Sequence, residues 1–267
     1  MIREPAVAGQ FYSADASALA REVRDLVPQG GARRDARGIL APHAGYVYSG
    51  SVAGAVYGSV NLPKRFIILG PNHTGWGEAL SLYPGGHWRT PIGPAVIDAG
   101  LTEALKKECP LVVPDRTAHR QEHSLEVQIP FLQVLAGDFS FAAIVVGTSD
   151  LRSLEELGHA LARVAAAQSE PVLLVASSDM NHYEPADAGA RKDRKAIERI
   201  EALDAAGLHR VVREHGISMC GFAPTVAVLT ACRDLGASEA RLVRYANSGD
   251  VTGDHRSVVG YAGMMIL

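Results

Sequence analysis

Three short stretches of this sequence end an apolar run on side chains that can hold a metal or move a proton. "GILAPHAGYVYSG" carries His43, "RFIILGPNHTG" carries His73, and "PVLLVASSDMNHYEP" carries Asp179 and His182. Neutral imidazole is the commonest metal ligand in proteins, and two imidazoles plus one carboxylate with open positions is the arrangement of non-haem iron sites. Asp179 or Asp250 can supply the carboxylate, leaving His182 or His123 as acid or base. Any one of these histidines reads equally well as a loop residue making an ordinary hydrogen bond. Their shared context, an apolar strand followed at once by a polar loop, is what joins them.

A second cluster competes. "HRQEH" at residues 119–123 spells H-x-x-E-H, the pattern of inverted zinc peptidases, in which both histidines lie on one helical face. Here the apolar rhythm starts only at Leu125, Ser124 reads as a helix N-cap, and Pro130 is expected to disrupt a helix running on from His119. His119 and His123 are therefore not expected to share a zinc ion, although His123 is free to face a crevice from a helix start. Glu122 and Glu126 otherwise read as polar residues at that start. Cys220, in "SMCGFAP", precedes a helix-like segment whose dipole lowers a thiol pKa, and reads equally well as a buried inert cysteine. Tyr46 and Tyr48 line a pocket or simply pack. No G-x-S-x-G elbow, G-x-x-x-x-G-K-[ST] loop or G-x-G-x-x-G turn occurs, which removes the usual support for a serine hydrolase, a P-loop NTPase or a dinucleotide-binding dehydrogenase.

The elements that must position these residues follow from periodicity. Apolar runs at 38–41, 66–69, 79–83, 139–146, 172–176, 242–245 and 258–267 have the Val, Ile and Leu content of strands buried on both faces. Segments 51–60, 101–108, 125–136, 154–167, 188–202 and 224–235 repeat apolar residues at three- and four-residue spacing, as helices do. Strands alternating with helices predict an α/β fold: one sandwich domain over residues 1–267, with a mixed sheet parallel in its centre and helices on both faces. Ligands of such sheets bind outside the carboxyl ends of the strands. His43 and His73 are 30 residues apart, the length of one βαβ unit, so a right-handed crossover sets their strands side by side or nearly so.

Composition narrows the functions. In 267 residues with net charge −3 there is no long-range pull toward nucleic acid or anionic lipid. Three cysteines without CxxC spacing argue against a disulfide framework and for a reducing cytoplasm. "MIREPAVAGQFYS" has charges where a signal peptide needs an apolar run, and no window resembles a membrane span.

Taken together, "REPAVAGQFY", "APHAGYVYSG", "ILGPNHTG", "RTPIG", "HRQEHSLEVQIPFL", "SSDMNHY", "MCGFAP", "YANSGDVTGD" and "SVVGYAGMM" resemble the Memo family. That family is related to the mediator of ErbB2-driven cell motility and, in bacteria and archaea, includes the AmmeMemoRadiSam system protein B. The resemblance spans nearly the whole chain and implies a fold like that of class III extradiol dioxygenases. It implies that His43 and His73 are metal-site histidines, that Asp179 and His182 complete the pocket, and that His123 is the histidine of the E-H-S segment. Animal members offer a cysteine near the segment matching "YANSGDVTGD", where this chain has Asn247, Ser248, Asp250 and Asp254. The departure implies a harder ligand set, with Asp250 in place of a thiolate. The cofactor expected is a divalent transition metal, iron, copper or zinc. The function expected is that of a metal-dependent, dioxygenase-like oxidoreductase acting on a small molecule, or else of a non-catalytic protein that binds a peptide or partner in the same crevice. The family name also implies a radical-SAM protein and a small companion protein as partners.

Overall fold

A computed structural model describes residues 1–267. Strands and helices run in the order β1 (Ile2–Arg3), α1 (Ala16–Leu26), β2 (Gly38–Ala41), α2 (Tyr46–Gly58), β3 (Arg65–Pro71), β4 (Leu80–Leu82), β5 (His87–Thr90), β6 (Gly93–Ile97), α3 (Ala99–Glu108), β7 (Val113–Pro114), α4 (Ile129–Leu135), β8 (Ser140–Val146), α5 (Leu151–Ala166), β9 (Val172–Ser177), β10 (His182–Glu184), α6 (Ala186–Glu201), α7 (Ala205–Glu214), α8 (Phe222–Asp234), β11 (Ala240–Asn247), α9 (Gly249–Thr252) and β12 (Val258–Ile266). All twelve strands join one mixed sheet, with the path β1-β5-β6-β8-β3-β9-β2-β12-β10; β11 pairs with β12, and β4 pairs with β7 and β8. The run from β6 to β2 is parallel throughout. Two apolar clusters fill the space on either side of the sheet, one with helices α3, α5, α6, α7 and α8 and the other with α1, α2 and α4. The expected α/β sandwich is thus the fold observed.

Every expected strand and helix is present, with ends shifted by a few residues. Segment 125–136 differs most. A single 3₁₀ turn covers Glu126–Gln128 and α4 begins at Ile129, so Pro130 sits in the first turn, where its missing N–H leaves no bond unmade. Ser124 is not an N-cap. It is wholly buried, and its hydroxyl donates to Pro71 O. Helices α1 and α7 and the short strands at the sheet margins are additional, their single buried stripe or face being too brief to stand out from polar neighbours.

Four helices are N-capped by a carboxylate, Asp15, Asp98, Asp150 and Asp204. Helices α2 and α8 start instead at Gly45 and Gly221 with no side-chain cap. Both open on the carboxyl ends of the central strands, where the first amides of a helix carry partial positive charge.

One buried acid lies outside that region. Asp193 on α6 is fully buried, accepting from Asn181 N (2.8 Å) and the Tyr245 hydroxyl (2.7 Å). Burial raises its pKa to about 6, against its two hydrogen bonds. A raised pKa means that the contribution of the protonated acid is complete below about pH 4 and is lost as pH rises through 6. Asp193→Asn is therefore expected to be more stable than wild type at pH 8, by up to about 3 kcal/mol, and no more stable at pH 4. Urea unfolding at both pH values measures this, and a destabilised Asn variant at pH 8 would contradict it.

Candidate metal centre

His43, His73 and Asp179 each stand two residues beyond a strand, after β2, β3 and β9 respectively, and β9 lies between the other two. The 30-residue crossover from β2 to β3 thus skips one strand, and Asp179 fills the gap. The crevice so formed has a volume of about 550 Å³ and is lined by all three together with His123, His182, Tyr48, Tyr183 and Tyr261. One nitrogen from each of His43, His73 and His123 lies within 4.8 Å of the others. Metal–imidazole bonds of about 2.0–2.1 Å in a tetrahedral set put nitrogens about 3.3–3.4 Å apart, so binding requires the three rings to close in by up to about 1.5 Å. The donor set therefore fits a divalent transition metal.

The hydrogen-bond network fixes which nitrogens face the crevice. Ser177 Oγ gives its only proton to Ser124 O (2.7 Å) and accepts from Gln128 Nε2 (2.8 Å), so the His43 Nδ1 at 2.9 Å must donate to it. His73 Nδ1 donates to Glu122 Oε1 (2.9 Å), and the backbone N–H of His73 reaches the other oxygen of that carboxylate (2.7 Å). Both rings therefore present the lone pair of Nε2. A buried carboxylate behind a histidine is the usual outer partner of a metal ligand. The ring of His123 stacks on His73 (centroids 4.6 Å apart, planes 20° apart), with the edge of Phe11 against it (4.8 Å).

Burial and the two neighbouring imidazoles hold His43 well below the ordinary histidine pKa. Burial likewise takes His123 down to about 4, against the attraction of Glu122. Burial opposes charge on His73 as well, but the Glu122 hydrogen bond and charge outweigh it and raise its pKa. Glu122, though buried, is held at about 2 by His73 and the amides of Ser124 and His73. At neutral pH His43 and His123 are thus neutral and ready to bind a cation.

Cys220 joins the site from the turn before α8. Its sulfur lies 3.2 Å from His43 Nε2 and accepts from Asp179 N (3.3 Å). Burial, and then the Asp179 charge, push the thiol pKa up against its hydrogen bonds to Asp179, Ser178 and Gly221. A thiol thus lies beside His43, contributed by "SMCGFAP" rather than by the "YANSGDVTGD" segment in which Asp250 was expected to stand in for a thiolate. Its sequence signal is a cysteine between a strand-end loop and a glycine-started helix. Gly221 makes the approach possible, since a Cβ there would meet Ser177 O at 2.2 Å and the Ser178 side chain at 2.5 Å. Gly221→Ala is expected to push α8 and Cys220 outward, costing about 1–3 kcal/mol of stability and weakening metal binding; thermal unfolding and Zn²⁺ titration measure the two.

The remaining expected residues divide. Asp179 Oδ1 accepts the amides of His43 (2.8 Å) and Ala44 (3.3 Å), and burial raises its pKa to about 6. His182 Nδ1 donates to Ser218 O (2.8 Å), which leaves its Nε2 as an acceptor. Asp250, expected as the third ligand, is not brought to the crevice. It is exposed at the start of α9, where its carboxylate accepts from Asn247 N (2.9 Å) to close a turn. His119 and His123 do not meet, for His119 is wholly buried, donates to Ser81 O (3.0 Å) and packs against Tyr83 and Trp88. Glu122, between them, faces His73. Tyr183 projects over the mouth, 78% exposed and with a φ of 59°, where β10 bulges against β12.

The family model for Memo-like protein matches residues 3–265. The chain belongs to the Memo family. It is 43% identical to a MEMO1 family protein of Methanopyrus kandleri, with 99% of each chain covered. It is 42% identical to a MEMO1 family protein of Aquifex aeolicus over 100% of this chain and 99% of that protein. Among solved structures, an uncharacterized protein from Escherichia coli K12 superposes with a TM-score of 0.56 at 13% identity, covering 85% of this chain and 98% of the other, a likeness of fold alone. No helix of this Memo-family chain is long and apolar enough to cross a membrane.

Proposed function

We propose that the crevice binds one divalent transition metal through His43, His73 and His123 and that the protein is a metal-dependent enzyme of oxidoreductase type. The observation that carries this reading is the convergence of three imidazole nitrogens within 4.8 Å, two of them locked with Nε2 toward the cavity. Three protein ligands with room left over characterise catalytic rather than structural metal sites. Cys220 is the candidate fourth donor, and a set of imidazoles with a thiolate favours iron, copper or zinc over harder ions. Such a metal polarises a substrate oxygen as a Lewis acid and, if iron or copper, takes part in electron transfer.

The chain's own groups supply the proton chemistry. Asp179, with a pKa of about 6 and only Oδ1 held by backbone, can take or give a proton near neutrality. His182, its Nδ1 held by Ser218 O, turns Nε2 to the same cavity. The lining contains no lysine or arginine, which disfavours a phosphate-bearing ligand and favours a small neutral one. The resemblance to dioxygenases supports the oxidoreductase class through fold, and function belongs to the site.

A second reading rests on the lip. Val47, Tyr48 and Tyr183 expose apolar surface around the mouth, as a peptide- or partner-binding protein would. The radical-SAM protein and small companion protein implied by the family name are proposed partners for that lip, in the cytoplasm. Elemental analysis of protein purified without tag or added metal separates the readings. The enzyme reading expects about one iron, copper or zinc per chain, while no metal on isolation and no uptake on titration would leave the partner-binding reading.

A further inference from the structure

Arg3 stands far from the histidines in sequence and is more buried than His73 or His123. It is 5% exposed on β1. Its guanidinium lies 4.2 Å over the ring of Trp88 and makes three strong contacts with one stretch of chain. Nε donates to His119 O (2.8 Å), Nη2 to Glu122 O (2.6 Å) and Nη1 to Glu126 Oε2 (2.6 Å). The Glu126 carboxylate then accepts the amides of Ala6 (2.8 Å) and Val7 (3.1 Å) and the hydroxyl of Tyr12 (2.6 Å). Segment 119–126, which carries Glu122 and His123, makes no long strand or helix of its own apart from one 3₁₀ turn. Its backbone is therefore placed by what grips it, and Arg3 grips both ends.

The same N-terminal stretch reaches the His43 side. Phe11 O accepts from Tyr46 N (2.7 Å) at the start of α2, and the Phe11 ring packs on His123. Residues 3–12 thus strap the loop after β2 to the segment that holds Glu122.

We propose that Arg3 is a positioning residue of the metal centre: by fixing the backbone of Glu122 it aims the carboxylate that locks His73 with Nε2 toward the crevice. A rigid bidentate fork is needed for this, because two carbonyls and a carboxylate must be held at once; a lysine keeps the charge against Glu126 and loses the fork. The inference rests on the metal-binding reading only where metal affinity is the readout. The tautomer of His73 is visible without metal.

The test compares wild type, Arg3→Lys, Arg3→Met, Glu122→Gln and Arg3→Met/Glu122→Gln. In metal-free protein, imidazole ¹⁵N shifts are expected to show a fixed Nδ1–H tautomer for His73 in wild type and exchange between tautomers in both Arg3 variants. Co²⁺ titration is expected to give an affinity about tenfold or more weaker for Arg3→Met, with the double variant no weaker than Glu122→Gln alone, since both changes act on one bond. A merely structural role would instead lower the melting temperature and leave the tautomer fixed. An unchanged His73 tautomer in Arg3→Lys overturns the proposal, as do affinity losses that multiply in the double variant. Should Arg3→Met not fold, the cycle is run with Arg3→Lys. Should wild type bind no Co²⁺, the metal reading fails and the tautomer alone decides the role of Arg3.

Discussion

His43→Ala is expected to weaken binding of Zn²⁺ or Co²⁺ by roughly a hundredfold to just under a thousandfold, because ~10–16 kcal/mol for a full set of four ligands assigns about 2.5–4 kcal/mol to each. His73→Ala and His123→Ala are expected to lose similar amounts, and Asp250→Ala none, its carboxylate being used in a turn outside the crevice. The pH dependence has a definite order. A protonated imidazole cannot ligate, so affinity falls with pH. His73, whose pKa Glu122 raises, takes up its proton first, above the ordinary histidine value of 6.5. His123, at about 4, and His43, held well below its ordinary value, follow only in strong acid. Calorimetric titration from pH 8 to 5 should therefore show a loss of about one proton's dependence beginning near neutrality. Glu122→Gln should move that onset to lower pH while weakening binding about 10–100-fold at pH 8. An onset that does not move on removing Glu122, or an Asp250→Ala protein as weak as His43→Ala, contradicts the assignment.

Glu126→Gln is expected to cost about 3–5 kcal/mol of folding stability, the penalty for leaving one member of a buried ion pair uncompensated. Arg3 and Glu126 are 2.6 Å apart with almost no exposure of either side chain, and the Glu126 carboxylate accepts four hydrogen bonds in all. A neutral amide keeps the shape but leaves the guanidinium unpaired, and its N–H₂ faces donors. The contrasting pair is Arg89 and Glu4, 3.1 Å apart and largely exposed. Glu4→Gln is expected to cost no more than about 1 kcal/mol. Urea midpoints for the two variants measure the difference, and equal small losses would show that the Arg3 cluster is not the anchor described.

The fold and the strand-end histidines were legible in the sequence because both follow local rules. A strand buried on two faces is a run of Val, Ile and Leu, and a polar residue just beyond it interrupts that run visibly, as at His43, His73 and Asp179. Residues acting across the chain carried no such mark. Glu122 reads as a polar helix start until His73 is placed beside it, and Cys220 reads equally as a helix-activated or an inert thiol until the turn before α8 meets the loop after β2. Asp250 was misplaced because an acidic loop residue looks the same whether it faces a cavity or closes its own turn. Arg3 is the extreme case, since its partners His119, Glu122 and Glu126 lie more than a hundred residues away.

X-ray absorption at the metal edge of Zn²⁺- or Co²⁺-loaded protein tests the metal centre most directly. Imidazole nitrogens are expected at about 2.0–2.1 Å with their outer-ring scattering and one sulfur at about 2.3 Å, the sulfur shell vanishing in Cys220→Ser and the imidazole scattering falling in His73→Ala. A shell of oxygens without imidazole scattering, or a spectrum unchanged in both variants, would place the metal elsewhere and contradict a centre built on His43, His73 and His123.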